Sequence, residues 1–141
     1  MIYKMKEIEM SINLETNSET KMLCFVTKYL VQINFTFEVS VFSEGFAGTA
    51  HFCVRREQLE RFCNELISMY SLLDGSSVLE DNDSDAFVKF EFNSTGHLIV
   101  KGQVGGSHED QMVRFKFQTD QTVIPQFVTD FQLLICLEDP I

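Results

Sequence analysis

The feature that most constrains this chain is a run of strict alternation. Val31, Ile33, Phe35, Phe37, Val39 and Val41 occupy every second position, with Gln32, Asn34, Thr36, Glu38 and Ser40 between them. Successive side chains of an extended strand point to opposite faces, so such a run buries one face and wets the other. A strand of this kind needs partners, and the sequence offers several. Ile8, Met10, Ile12 and Leu14 alternate between Glu7 and Leu14, and a short strand is expected from Met22 to Thr27. After "SEGFAG", whose Gly45 and Gly48 suit positive φ, a return strand is expected from Thr49 to Val54. Three more candidates follow later, Ala86–Phe92, His97–Val104 and Met112–Gln118, the first two joined by "NSTG". Their apolar face carries Val88, Phe90, Phe92, Leu98, Val100, Val113, Phe115 and Phe117. Lys89, Glu91, Lys101, Arg114 and Lys116 mark the wetted face.

Two segments change period. Between residues 55 and 73, Leu59, Phe62, Cys63, Leu66, Ile67, Tyr70 and Leu73 recur at spacings of three and four, one stripe of a helix that Gly75 can stop. Arg55 and Arg56 sit at its positive end, against the dipole. A second helix is expected in "DQTVIPQFVTDFQLLICL", with Thr122 as cap, Pro125 in the first turn, and Phe127, Val128, Phe131, Leu134 and Ile135 buried. The predicted fold is α+β, an antiparallel sheet of about six to seven strands in the order ββββαβββα covered by two helices. One domain is expected over residues 1–141.

Charge restricts the partners. With 21 acidic and 11 basic residues the net charge is −10, a surface that repels phosphate backbones and suits a basic protein, so no direct nucleic-acid partner and no membrane partner is expected. No Lys or Arg occurs from Phe62 to Val88 or from Phe117 to Ile141. Cys24, Cys53, Cys63 and Cys136 form no CxxC and are too sparse for a disulfide scaffold, so they are expected reduced and mostly buried. The first residues lack the apolar run of a signal peptide, and "LLICL" is too short to span a bilayer, which points to a cytoplasmic chain.

The candidate chemistry centres on "LEDNDSDAF", residues 79–87, where Glu80, Asp81, Asp83 and Asp85 crowd together. Asp81, Asp83 and Asp85 match the first ligands of an EF-hand, but Ala86 stands where its glycine is required and Phe92 where its glutamate is. Acid–base catalysis would require burial that shifts the carboxylate pKa, which a hydrophilic loop does not supply. A solvated loop that meets a partner is the remaining reading. His51 and Cys53 share a strand face, yet no second pair completes a metal site. "GGSH" at 105–108 lacks both the nucleophile elbow and the phosphate cradle. No catalytic set, metal or cofactor is expected.

The order "GFAGTAHFCVRREQLERFCNELISMYSLLDGSSVLE", "GHLIVKGQV" and "VRFKFQTDQTVIPQF" resembles the WapI family of bacterial immunity proteins, inhibitors of wall-associated polymorphic toxins. The resemblance covers residues 43–137 and departs at "YLVQINF", without the family's Trp-Leu pattern, and at Val123, where an aromatic is usual. It implies a protein that binds and occludes a cognate toxin domain without chemistry of its own. Glu80, Asp81, Asp83 and Asp85 are the expected contact residues, and the toxin is expected to be a basic nuclease. The alternative is a small-molecule or enzymatic pocket between sheet and helices using His51, Cys53 or His97. In "DQT", Asp120 and Thr122 are expected to cap a helix start, with Thr122→Ala costing about 1 kcal/mol.

Overall fold

The computed structural model describes residues 5–6, 10–31 and 33–137, and the side chains of residues 10–28 and 33–137. Glu7, Ile8 and Gln32, which the alternation assigns to strands, lie outside them. The alternating residues form two antiparallel sheets rather than one. The first contains β1 (Met5–Lys6), β2 (Ser11–Asn13), β3 (Lys21–Val31), β4 (Asn34–Ser43) and β5 (Phe46–Arg55), with β1 and β2 both pairing with β3 and β5 at the opposite edge. After α1 (Arg56–Leu72) the second sheet runs in sequence order through β6 (Ser76–Glu80), β7 (Phe87–Phe92), β8 (Leu98–Val104) and β9 (Val113–Thr119). A 3-10 turn at Gln121–Val123 leads into α2 (Ile124–Leu137). The α+β class and the two helices hold.

The long alternation does not lie on one strand. The chain reverses between Val31 and Asn34, which pair with each other, and Ile33 is exposed in the turn. The pairing sets positions 31 and 34 opposite each other, so the parity shifts by one across the reversal, and the apolar Ile33 in the loop carries the alternation through the sequence and hides the break. At the next reversal Ser43 pairs with Phe46, and both residues between them, Glu44 and Gly45, have positive φ (49° and 91°), the geometry of a type I′ turn. Gly48 is needed for another reason. A Cβ there would lie 2.8 Å from Val113 Cγ2, so the missing side chain lets the second sheet press onto the first. Ser43 Oγ and Lys21 Nζ then donate to the carbonyls of Lys116 and Gln118 at 3.1 and 2.8 Å, closing the outer edge of β9 against the first sheet.

Phenylalanine rings join the layers. Phe37 and Phe25 of the first sheet meet at 5.5 Å, Phe25 meets Phe131 of α2 at 5.2 Å, and Phe131 meets Phe127 at 4.9 Å. Phe127 stacks on Phe90 of β7 at 5.5 Å, and Phe90 meets Phe62 of α1 edge-on at 5.6 Å. All six rings are fully buried in one continuous cluster, and such edge-to-face and offset contacts add roughly 0.5–1.5 kcal/mol each beyond area burial.

The helix starts resolve the charge anomaly. Arg55 stands at the N-cap of α1, where its side chain accepts nothing and its backbone N–H donates to Gln58 Oε1 at 2.7 Å, the return half of a capping box. Arg56 pairs with Glu60 at 2.7 Å and its Nη2 reaches the Ile135 carbonyl at 3.4 Å. The guanidinium therefore serves the negative end of α2, which has no basic residue in its last turn. The stripe of α1 is narrower than its periodicity predicts: Leu59, Phe62, Cys63, Leu66 and Met69 are buried, while Ile67, Tyr70 and Leu73 are exposed. Leu73, not Gly75, takes the left-handed cap at φ 52°. At the second helix, Asp120 Oδ1 accepts from the Thr122 N–H at 2.9 Å, so the cap is Asp120, not Thr122. Of the cysteines, all free, only Cys63 is buried; Cys24 and Cys53 are half-buried and Cys136 is exposed.

Candidate functional site

β5 ends the first sheet, and its outer edge is where the acidic stretch lands. An edge strand leaves every second residue with both N–H and C=O turned away from its neighbour. At Cys53 those groups are taken. The Cys53 N–H donates to Asp81 Oδ1 at 2.8 Å, and the Cys53 carbonyl accepts from the Asn82 N–H at 2.8 Å. Asn82 Nδ2 also reaches Gln58 Oε1 at 2.8 Å, which ties the loop to the first turn of α1. Residues 81–86 thus act as a clasp on β5.

Asp81 is the centre of that clasp. Besides Cys53, it accepts from the Asp83 N–H at 3.1 Å and from Ser84 Oγ at 2.6 Å, and its side chain is only 8% exposed. Contrary to the expectation of a solvated loop, this carboxylate is committed internally. Asp85 is committed as well. It accepts from the Ser107 N–H and Gln103 Nε2, both at 2.8 Å, and from Ser107 Oγ. The Ser107 bonds, foremost the hydroxyl, hold its carboxyl down at about 2. Gln103, buried on β8, spends its remaining capacity on the Gly105 carbonyl and on Arg114 Nε. Glu80, Asp83 and Asp85 are exposed, so Asp81 alone of the four is buried.

Between the edge of β5, the clasp and the 105–112 loop lies an open cleft of about 580 Å³. Thr49, Ala50 and His51 form one wall; Asp83, Glu109 and Asp110 supply exposed carboxylates, and among the described residues no Lys or Arg lines it. Glu109 and Asp110 were not expected from the sequence. The only local signal is an acidic pair after "GGSH", and what brings it beside the clasp is the Ser107–Asp85 tie across 22 residues. An anionic concavity of this kind can hold cationic side chains through water and direct ion pairs.

The residues of the alternative pocket do not converge. His51 lines the cleft, but burial pushes the Cys53 thiol up, and its side chain is hydrogen-bonded to Thr36. His97 closes the 93–97 turn, its Nδ1 2.8 Å from Thr95 Oγ1. The space between sheets and helices is filled by the phenylalanine cluster. Among the described residues no three His, Cys, Asp or Glu side chains are arranged to hold a metal ion, and no helix is long and apolar enough to cross a membrane.

Fold and cleft define a small α+β domain that presents an open anionic concavity at a sheet edge. Residues 7–135, nearly the whole chain, match the immunity protein WapI-like family, and the chain belongs to it. Comparison with curated proteins and with solved structures finds no significant match.

Proposed function

We propose that this chain is a cytoplasmic immunity protein that binds a cognate toxin domain and blocks it by occlusion, without catalysing a reaction. The observation that carries the reading is the family match over residues 7–135. Charge favours a basic toxin, such as a nuclease that grips phosphates: the chain carries −10, and the cleft beside β5 is lined by carboxylates, with no countering base among the described residues. Complementary charge raises association rates from about 10⁵–10⁶ toward 10⁸–10⁹ M⁻¹s⁻¹ at low salt.

Within the acidic loop the four proposed contact residues divide by role. Glu80 and Asp83, exposed, meet the toxin; Asp81 and Asp85, already hydrogen-bonded, hold the loop in the shape that presents them. The test is co-expression with the toxin domain encoded beside this chain's gene, scoring survival and co-purification, followed by stoichiometric inhibition with purified components. Rescue with equimolar inhibition is expected. Unabated toxicity with no complex would refute the reading. Glu80→Gln with Asp83→Asn should then lower the association rate and flatten its salt dependence.

A further inference from the structure

The cleft has a property that charge does not describe. Cys53 fixes the parity of β5: both its backbone groups point away from β4. Pairing with β4 continues without a register shift from Arg55 back to Phe46. The outward orientation therefore recurs at His51, Thr49 and Ala47. Among the described residues no hydrogen bond reaches the N–H or C=O of these three. Adjacent edge groups are closed, at Cys53 by the clasp and on β9 by Ser43 and Lys21. An open edge invites pairing with another chain, and proteins usually block such edges. Here Thr49 and His51 face the cleft, and Phe46, 70% exposed, begins the same strand.

We propose that Ala47–His51 is a docking edge for an extended basic segment of the toxin, which adds a strand to the first sheet and sets Lys or Arg side chains among Asp83, Glu109 and Asp110. The open edge specifies an extended backbone, and the carboxylates specify the sign of its side chains. A second copy of this chain suits the edge poorly, because it would bring like charge into the cleft. The proposal rests on the immunity reading and adds the surface and the form of the partner.

The experiment uses the full chain and the toxin domain encoded beside its gene. Amide hydrogen exchange is compared in the free chain and the complex, and Kd is measured for His51→Pro, His51→Ala and the triple variant Asp83→Asn, Glu109→Gln, Asp110→Asn. Proline deletes an outward N–H and is tolerated on an edge strand, while alanine keeps the N–H. Exchange at Thr49 and His51 should slow at least tenfold in the complex. His51→Pro should weaken binding about tenfold, as expected for one interfacial backbone hydrogen bond, and His51→Ala should stay within about twofold. The triple variant should lower the association rate and its salt slope. If His51→Pro lowers the melting temperature, Ala47→Pro takes its place. A complex in which Thr49 and His51 exchange as fast as in the free chain overturns the docking edge and leaves the immunity reading standing. A self-associating chain that His51→Pro makes monomeric, with toxin binding unchanged, assigns the edge to a second copy and also overturns it. A wild-type chain that forms no complex overturns the immunity reading and this proposal together.

Discussion

Removing the Asp81 carboxylate should unlatch the acidic loop from the first sheet. Three donors lose their acceptor in Asp81→Ala: the Cys53 N–H at 2.8 Å, the Asp83 N–H at 3.1 Å and Ser84 Oγ at 2.6 Å. The Asp83 amide and the Ser84 hydroxyl lie near the surface, so water replaces much of what they lose. The Cys53 N–H is worse placed, because the Asn82–Cys53 contact holds the loop over it. A lost charge-assisted hydrogen bond together with a poorly solvated donor costs about 3 kcal/mol. For a chain of this size that corresponds to a fall in melting temperature of roughly 10 °C. Asp83→Ala, on the same loop with an exposed side chain, should stay within about 0.5 kcal/mol of wild type. Asp81→Asn keeps one carbonyl acceptor and should lose only about 1 kcal/mol. Urea unfolding of the three variants, with amide exchange at Cys53, measures this. Equal unfolding midpoints for Asp81→Ala and Asp83→Ala would show that the clasp does not hold the edge.

Other perturbations test separate joints. Asp85 has a folded pKa of about 2 against an ordinary value of 3.8, so the Ser107 tie stabilises the fold at neutral pH, and that contribution is lost as pH falls from about 4 toward 2; Asp85→Asn should flatten this acid limb in melting-temperature measurements. Gly48→Ala should destabilise by about 1–3 kcal/mol through the clash with Val113, and Val113→Ala in the same chain should recover part of that in a double-mutant cycle. Asp120→Ala should lower the melting temperature more than Thr122→Ala, since the Asp120 carboxylate accepts the Thr122 N–H that opens the second helix.

Period was the readable part of this fold. The strands β7, β8 and β9 lie within a residue or so of their alternation, and both helices coincide with their apolar spacing. What escaped had no local signature. The strand β6, "SSVLE", is too short to show alternation, and the exposed Ile33 in the turn after Val31 continues the apolar spacing and hides the reversal. Which of Leu66, Ile67, Met69 and Tyr70 faces inward depends on the width of the groove against β6 and α2, not on spacing alone. The close approach of the two sheets depends on Gly48 meeting Val113, 65 positions later, which no window along the chain contains.

The acidic loop shows why charge counts mislead about contact. Four carboxylates within six positions read as one surface, but the buried Asp81 must be matched to donors, and the exposed Asp85 is tied to Ser107 and Gln103 as well. Their negative charge still contributes to the long-range field that steers a basic partner. Each already accepts three hydrogen bonds within the chain, so a partner's lysine would compete with those donors to use them. Neutralising all four together would therefore mix a loss of steering with a loss of the clasp. Glu80 and Asp83 with Glu109 and Asp110 form the set whose neutralisation changes the field while leaving these hydrogen bonds intact. A change in association rate for that set, at constant melting temperature, isolates electrostatic recognition from the integrity of the edge on which it acts.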